Sequence, residues 1–191
     1  MEKRTRVFLL LFLFFLSIYA AIAFYATTNK PSQPFLGFGI YSGQNTLSRY
    51  IETGTVNLNR TYHWTFNITN EMGTTQLVQI ITRLGNSSTL GPNATSPATS
   101  PDTQQVLANS TLFVPNKGSM LQNFDWNVTR VTSSGGLDYL TLDINGRITN
   151  STLGTGPGGP FRLYFELWTF NSELSSFQYY TWLQIGFRLN N

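Results

Sequence analysis

Residues 61–69, TYHWTFNIT, alternate strictly between polar and apolar side chains. Tyr62, Trp64, Phe66 and Ile68 share one parity, and the residues between them are polar or small. Because successive side chains of a β-strand point to opposite faces, this pattern predicts a strand with one buried and one solvated face. Strands of that kind are typical of antiparallel sheets that cover a core on one side only.

Comparable segments recur along the chain and are separated by clusters of Gly, Pro, Asn and Ser. We predict strands at 35–42, 55–58, 60–69, 75–84, 104–114, 119–131, 137–144, 147–152, 161–170 and 179–189. Asn145-Gly146 predicts a two-residue hairpin, because a type I′ turn needs positive φ at both positions. No stretch after residue 30 has the apolar period of a helix. The sequence therefore predicts an all-β domain over 35–191, an immunoglobulin-like antiparallel β-sandwich.

The N-terminal region has a different composition. Residues 7–26 contain no charge, no Pro and no Gly, and as a helix they would span about 30 Å, the thickness of one hydrocarbon core. Residues 1–6 form a basic tail that the positive-inside rule keeps cytoplasmic. We predict an N-terminal transmembrane helix or signal anchor, a spacer at 27–34 and an extracellular domain. Cleavage near Ala23, after the small residues of Ala21-Ile22-Ala23, is the alternative and would yield a secreted protein.

Charge and reactive residues exclude several classes of function. The net charge of +3 comes from the N-terminal region, because residues 31–191 contain 8 basic and 8 acidic side chains. A neutral domain lacks the basic surface that nucleic acids require. The absence of Cys excludes disulfides and thiolate-ligated metals, and the single His excludes a multi-His site. His63 falls on the polar parity of its strand and is predicted to be a surface residue. We predict no catalytic residue, metal or cofactor, and hence no enzyme.

Seven Asn-x-Ser/Thr triplets are candidates for N-glycosylation. They begin at Asn59, Asn67, Asn86, Asn93, Asn109, Asn127 and Asn150. Asn59, Asn67 and Asn127 fall on the polar parity of their segments, where a glycan could point to solvent. Asn109 is the doubtful position, because it shares its parity with Leu107 and Phe113.

Residues 85–103 are rich in Ser, Thr and Pro and have no apolar period. Nineteen such residues make a long loop for a compact domain, and their composition is typical of a glycosylated, solvated insertion. Asn86 and Asn93 lie within it. We therefore predict covalent glycans on this loop as well as on the strands.

Ten aromatic residues fall within 161–187, and two interpretations of them are open. In the first, the last two strands are central and supply much of the core. In the second, outward members make an interaction face, for which Tyr180, Trp182 and Trp168 are the candidates. Residues 163–170 are apolar on both parities, which indicates a strand that is covered on both faces or that awaits a partner.

Several short motifs resemble the extracytoplasmic immunoglobulin-like domain of an uncharacterised archaeal membrane-protein family. They are residues 35–41, FLGFGIY, then residues 68–71, ITNE, and residues 77–80, LVQI. Residues 163–168, LYFELW, and residues 183–185, LQI, match the last two strands of that family. The resemblance spans residues 35–189 with 85–103 as an insertion. Family members carry several transmembrane helices before the domain, whereas this chain has one candidate. The resemblance implies a fold and a membrane topology, and it supplies no site.

These observations predict a non-enzymatic, membrane-anchored, extracytoplasmic, glycosylated β-sandwich that acts as an envelope interaction or scaffold module, such as an accessory subunit of a membrane complex. The expected partners are the lipid bilayer, through residues 7–26, and proteins or further copies of the chain at the cell surface. One alternative is a subunit of an archaeal surface filament, either pilin-like or donating its Phe35–Ile40 strand to a neighbour. Another alternative is a carbohydrate-binding domain.

Overall fold

The computed structural model describes residues 2–28, 33–43, 50–51, 54–91 and 105–190. The chain divides into two units, Met1–Pro34 and Phe35–Asn191. The first unit contains the helix α1 (Glu2–Thr28), which includes the whole of the apolar segment 7–26. The side chains of residues 12–25 are exposed. Within the described residues, no helix combines the length and the hydropathy required to cross a bilayer.

The described part of the second unit forms ten strands, one for each predicted segment. They are β1 (Leu36–Ser42), β2 (Thr55–Val56), β3 (Tyr62–Asn70), β4 (Gln76–Asn86), β5 (Val106–Val114), β6 (Gly118–Ser134), β7 (Leu137–Ile144), β8 (Arg147–Thr155), β9 (Phe161–Asn171) and β10 (Ser176–Leu189). The prediction for β2 was too long, because the chain turns at Asn59, whose φ of 59° is left-handed. The predictions for β6, β8 and β10 were too short by three residues at one end.

The strands form two five-stranded sheets. Sheet 1 has the order β1-β3-β6-β7-β8, and sheet 2 has the order β2-β10-β9-β4-β5. Neighbouring strands are antiparallel except for the short β2, which pairs in parallel with β10. The inward side chains of both sheets form one core, so the predicted all-β sandwich is confirmed.

Aromatic contacts between the sheets explain the alternation in residues 61–69. Phe165 of β9 lies at the centre, with ring centroids 5.9 Å from Trp64, 5.2 Å from Phe66 and 5.3 Å from Phe124. Trp126 and Phe187 make a similar contact at 5.3 Å. Each of these rings is almost completely buried. Truncation of such a ring to Ala typically costs about 3–5 kcal/mol, so the even positions of β3 are fixed by the core.

A β-bulge in β5 breaks the alternation on which the parity prediction for Asn109 depended. Between β4 and β5 the register moves from Thr82–Ala108 to Arg83–Val106, which leaves Leu107 without an opposite residue. Leu107 points into the core, and the parity of the strand changes there. Asn109 is exposed for this reason although Leu107 is buried, so the doubt about its orientation is removed.

The end of the sandwich at which the chain enters the domain is called the entry end. It holds the start of β1, the β3–β4 turn at 71–75, the β5–β6 turn at 115–117 and the β9–β10 turn at 172–175. The buried amide of Asn70 ties this end together, donating to the carbonyls of Thr74 at 2.9 Å and Val114 at 2.8 Å. The Phe35 carbonyl accepts a hydrogen bond from Glu71 N–H at 2.9 Å.

The far end holds the β6–β7 turn at 135–136 and the Gly-rich loop that follows β8. Asp138 is buried there and accepts hydrogen bonds from Ser133 Oγ at 2.6 Å and from the Gly158 N–H at 2.8 Å. These two hydrogen bonds lower the pKa of the Asp138 carboxyl, because they favour its ionised form. The Gly-rich loop is thus held by a carboxylate of sheet 1.

Candidate binding face

The outer face of sheet 2, which points away from the core, is more apolar than the outer face of sheet 1. The register places outward residues of β5, β4, β9 and β10 side by side in rows. We call this surface the binding face; its members are Leu77, Gln79, Ile81, Arg83, Asn109, Thr111, Phe113, Tyr164, Glu166, Trp168, Phe170, Phe177, Tyr179 and Trp182. Phe113 is 66% exposed and Phe170 is 37% exposed, whereas most other members are half-buried.

A buried ion pair lies in the middle of the binding face. Arg83 Nε donates to Glu166 Oε1 at 2.9 Å, and the side chains are 10% and 0% exposed. The second carboxylate oxygen of Glu166 accepts from Trp168 Nε1 at 2.9 Å. Both oxygens of a completely buried carboxylate are therefore satisfied, as the low polarity of the site requires.

Sequence reasoning did not find this pair, since the two residues are 83 positions apart. The only signal was the occurrence of single charges inside otherwise apolar strands. The β4–β9 pairing brings Arg83 beside Tyr164 and Ile81 beside Glu166, which places the two charges on one face.

Trp168 and Tyr179 form the part of the binding face that is next to the ion pair. Their rings meet edge to face with centroids 5.7 Å apart, and both are half-buried. Burial and the nearby negative charge of Glu166 raise the pKa of Tyr179 to about 12. The phenol therefore stays neutral at physiological pH. Because the Trp168 N–H donates inward, a partner on this surface meets the ring of Trp168 and not its N–H group.

The chain after β4 covers another part of the binding face. Trp182 stacks on Tyr164 with centroids 5.6 Å apart, and the Tyr164 hydroxyl donates to the Thr89 carbonyl at 3.1 Å. Gly91 lies so close that a Cβ there would come within 2.5 Å of the Trp182 indole. Tyr164 is completely buried as a result. β9, which is apolar on both parities, is thus covered on both faces over residues 163–167. Trp182 was predicted to point outward, and its side chain is half-buried.

Tyr180 does not belong to the binding face, and its prediction as an outward residue was wrong. The register of β9 and β10 shifts between Tyr179 and Thr181, so Tyr180 is the bulge residue. It packs against the core, and its hydroxyl accepts a hydrogen bond from the Leu36 N–H at 2.8 Å. Tyr180 therefore fixes the start of β1.

The outer face of sheet 1 is largely polar, and its exposed apolar exceptions among the described residues include Leu121 and Ile148. His63 is exposed, as predicted, and its Nδ1 lies 2.8 Å from Asp125 Oδ1. Neighbouring outward positions include Thr65, Asn67 and Asn127. Among the described residues, no group of three or more His, Asp or Glu side chains is arranged to hold a metal ion.

The candidate glycosylation sites differ in accessibility. Asn59, Asn109 and Asn150 are exposed, whereas Asn67, Asn86 and Asn127 are half-buried. Asn93 lies outside the described residues. N-glycosylation modifies the amide nitrogen, so the existing contacts of this atom matter.

Two of the half-buried amides are already engaged. The Nδ2 of Asn67 donates to the Tyr41 hydroxyl at 3.2 Å, and the Nδ2 of Asn86 donates to the Gly154 carbonyl at 3.4 Å. Asn86 is the last residue of β4 and not part of a loop, which corrects its predicted position. Its Oδ1 accepts from Ser88 N–H at 3.0 Å and so forms the turn after β4.

The chain matches no protein-family model and no curated protein. Among solved structures it is similar to the CARDB domain of a Pyrococcus furiosus protein in complex with di-metal ions, with 9% identity, a TM-score of 0.41, and coverage of 83% of this chain and 90% of that chain. It is also similar to a β-glucosidase from Listeria innocua, with 11% identity and a TM-score of 0.34 over 82% of this chain and 16% of that chain. These TM-scores are low, and no function is inferred from either likeness. No match supports the resemblance to the archaeal membrane-protein family.

Proposed function

We propose that this protein is a membrane-anchored, extracytoplasmic interaction or scaffold module that binds a protein partner through the binding face. The main observation is the contrast between the two outer faces of the sandwich. The outer face of sheet 1 is largely polar and carries the sequons of Asn67, Asn127 and Asn150, whereas the middle of sheet 2 presents the half-buried aromatic pair Trp168 and Tyr179 beside a buried ion pair. A surface with aromatic anchors at its centre and few exposed charges is typical of protein interfaces.

The ion pair adds to this interpretation because it positions an aromatic side chain. Glu166 accepts the Trp168 N–H and is itself held by Arg83. A Trp ring that is fixed before binding loses little conformational freedom when a partner docks. The strands that carry these residues are central in their sheet, so the surface is rigid.

The immunoglobulin-like assignment is part of this proposal. In sheet 2, β10, β9 and β4 have the order of the G, F and C strands, and β5 extends the sheet beyond β4. In sheet 1, β6, β7 and β8 follow one another as a meander. The sheet that contains G, F and C is the one that carries the binding face.

The membrane anchor rests on residues 7–26. Their length in helical form matches a hydrocarbon core, and the side chains of residues 12–25, which include Phe12, Phe15 and Phe24, are exposed. An apolar helix that leaves its side chains uncovered needs an apolar surrounding, which a bilayer provides. The basic tail before it orients the domain outward. The glycans predicted for the domain agree with that location.

Site-specific photo-crosslinking in the native membrane tests the binding face. A photoreactive residue replaces Gln79, which is next to Trp168, and a matched variant carries it at Thr65 on the outer face of sheet 1. We expect a discrete adduct from position 79 and none from position 65. Equal labelling at both positions, or none at either, would contradict the proposal. A ladder at multiples of the chain's own mass would support the filament alternative instead.

The carbohydrate-binding alternative is favoured only by the accessible ring of Trp168. Sugars stack on such rings, but Trp182 is half-covered by the chain at Gly91 and does not extend the platform. Affinity electrophoresis in gels containing cell-wall polysaccharides checks this alternative. Retardation of the wild-type chain that is lost in Trp168→Ala would favour it over a protein partner.

A further inference from the structure

The entry end of the domain is surrounded by exposed apolar side chains. We call this set the apolar collar; its members are Phe35, Phe113, Met120, Leu121, Phe170 and Leu174, with exposures between 36% and 66%. Every exposed Phe among the described residues 35–190 belongs to it. Elsewhere on the domain the exposed large apolar residues are Leu58, Leu90, Val106, Leu137 and Ile148. The distribution is therefore polarised along the axis of the sandwich.

The collar lies in a shallow layer. Phe113 and Phe170 are each one residue from the end of their strand, and Leu121 is three residues from the start of β6. At about 3.4 Å per residue, these positions lie within about 10 Å of the end of the sheet. The apolar faces of proteins that lie in a membrane interface are buried to a depth of about 5–10 Å, which is the same scale.

The length of the spacer limits how far the entry end can be from the membrane. Eight residues, 27–34, separate the apolar segment from Phe35. Even fully extended, they span at most about 28 Å. Phe35, the first collar residue along the chain, therefore lies within about 28 Å of the end of the apolar segment.

The charges at the entry end are few and nearly balanced. Lys117 lies at the tip of the β5–β6 turn, and Glu71 and Glu173 lie in the β3–β4 and β9–β10 turns. A surface of this kind has no attraction for anionic headgroups, so a contact with lipid would depend on apolar burial.

From these observations we propose that the apolar collar inserts into the interfacial layer of the bilayer that anchors the chain. The inference rests on the proposed membrane anchor. The occupant of the collar is lipid, because the spacer holds the collar within reach of the membrane. Phe113 and Phe170 then contact lipid, and the part of the binding face around Trp168 is left for a protein partner.

Depth-dependent quenching tests the inference on the full chain. The chain has no Cys, so Leu174→Cys and Phe113→Cys each create a single labelling site for an environment-sensitive fluorophore. The matched control is Leu137→Cys, which also lies at a turn but at the far end. The labelled chains are reconstituted in phosphatidylcholine vesicles that contain doxyl-labelled lipid. We expect at least threefold stronger quenching at positions 174 and 113 than at position 137.

Flotation of the same vesicles on a density gradient separates the two proposals. If the chain floats with the vesicles but positions 174 and 137 are quenched equally, the anchor holds and the insertion of the collar is wrong. If the chain does not float, the anchor is wrong and the inference fails with it. Quenching at position 174 that appears only with anionic lipid would contradict apolar insertion, because the collar offers no net positive charge.

Discussion

Glu166 has no contact with bulk solvent, although it points away from the core of the sandwich. Its two oxygens are satisfied by Arg83 and by the Trp168 N–H, at 2.9 Å each. A buried pair of this kind is a weak source of stability, because desolvation offsets most of the attraction between the charges. It is a strong source of specificity for the position of Trp168, since the indole N–H donates to a carboxylate that Arg83 holds in place.

Loss of one partner is therefore expected to cost much more than loss of both charges. Arg83→Met leaves the Glu166 carboxylate without its cation, and we expect it to lower the free energy of unfolding by about 3–5 kcal/mol. In Arg83→Met/Glu166→Gln, the Gln side chain still accepts from Trp168, and part of that loss is recovered. Urea denaturation of the four proteins in the cycle measures the coupling. If the losses of unfolding free energy in the two single variants sum to the loss in the double variant, the two residues are not coupled.

Asp138 gives a pH-dependent prediction. Its pKa is lowered in the folded state, so its contribution to stability is present at neutral pH and is lost as the pH falls below about 4. Asp138→Asn should cost about 1–2 kcal/mol at pH 7, because a donor replaces one of the two acceptors. The difference from wild type should shrink with acidification.

Thermal unfolding at pH 7 and pH 3 checks this prediction. The control is Asp125→Asn, whose exposed pair with His63 contributes at most about 1 kcal/mol. If the difference in stability between wild type and Asp138→Asn is the same at pH 7 and pH 3, the ionised carboxylate is not the source of the effect.

Strand positions were predictable from the sequence because the core imposes a strict period on β3, on β7 and on residues 183–189 of β10. Ile144 and Arg147 pair across the predicted Asn145-Gly146 turn, where φ is 51° and 80°. The failures occur at bulges. Tyr180 turns inward, and Leu107 shifts the parity of β5, since one extra residue reverses every later side chain. No local signal marks those positions.

The β7–β8 hairpin provides a test at this scale. Gly146→Ala places a side chain at φ 80°, and we expect a loss of about 1–2 kcal/mol from left-handed strain. Gly39→Ala in β1 is the control, because a Cβ there meets no atom within 4 Å and its backbone is not left-handed. The control should be neutral or stabilising by up to about 1 kcal/mol. Equal losses in chemical denaturation would mean that the turn conformation does not limit the hairpin.

At the scale of the whole molecule, the candidate site depended on pairing between distant strands. The sequence predicted Tyr180, Trp182 and Trp168 as an outward face. Trp168 and Trp182 lie on the outer face of sheet 2, whereas Tyr180 packs against the core. The sequence could not predict that residues 86–91 fold over Trp182 or that Arg83 reaches Glu166. The residues in these contacts are separated by between 75 and 91 positions in the chain. They meet only because of the order of the strands in sheet 2.

Glycosylation of the Asn-x-Ser/Thr sites depends on how accessible each Asn is in the folded domain. On natively expressed chain, we expect glycans at Asn59 and Asn150, whose side chains are exposed and lie outside the binding face, and none at Asn67, whose amide donates to Tyr41. Glycopeptide mapping by mass spectrometry measures the occupancy, and the same spectra report whether the N-terminus is intact or was cleaved near Ala23. Modification of Asn67 with Asn150 unmodified would contradict the argument from accessibility.

The placement of β1 has a mechanical consequence. The chain enters the domain at Phe35, and β1 then runs from the entry end alongside β3 through seven paired residues. Tension applied through the N-terminal segment, while the opposite end of the domain is held, pulls β1 lengthwise against β3. The hydrogen bonds of the pair then bear the load together in shear and are not opened one at a time. In a domain connected in this order, the first strand is the element that resists such tension.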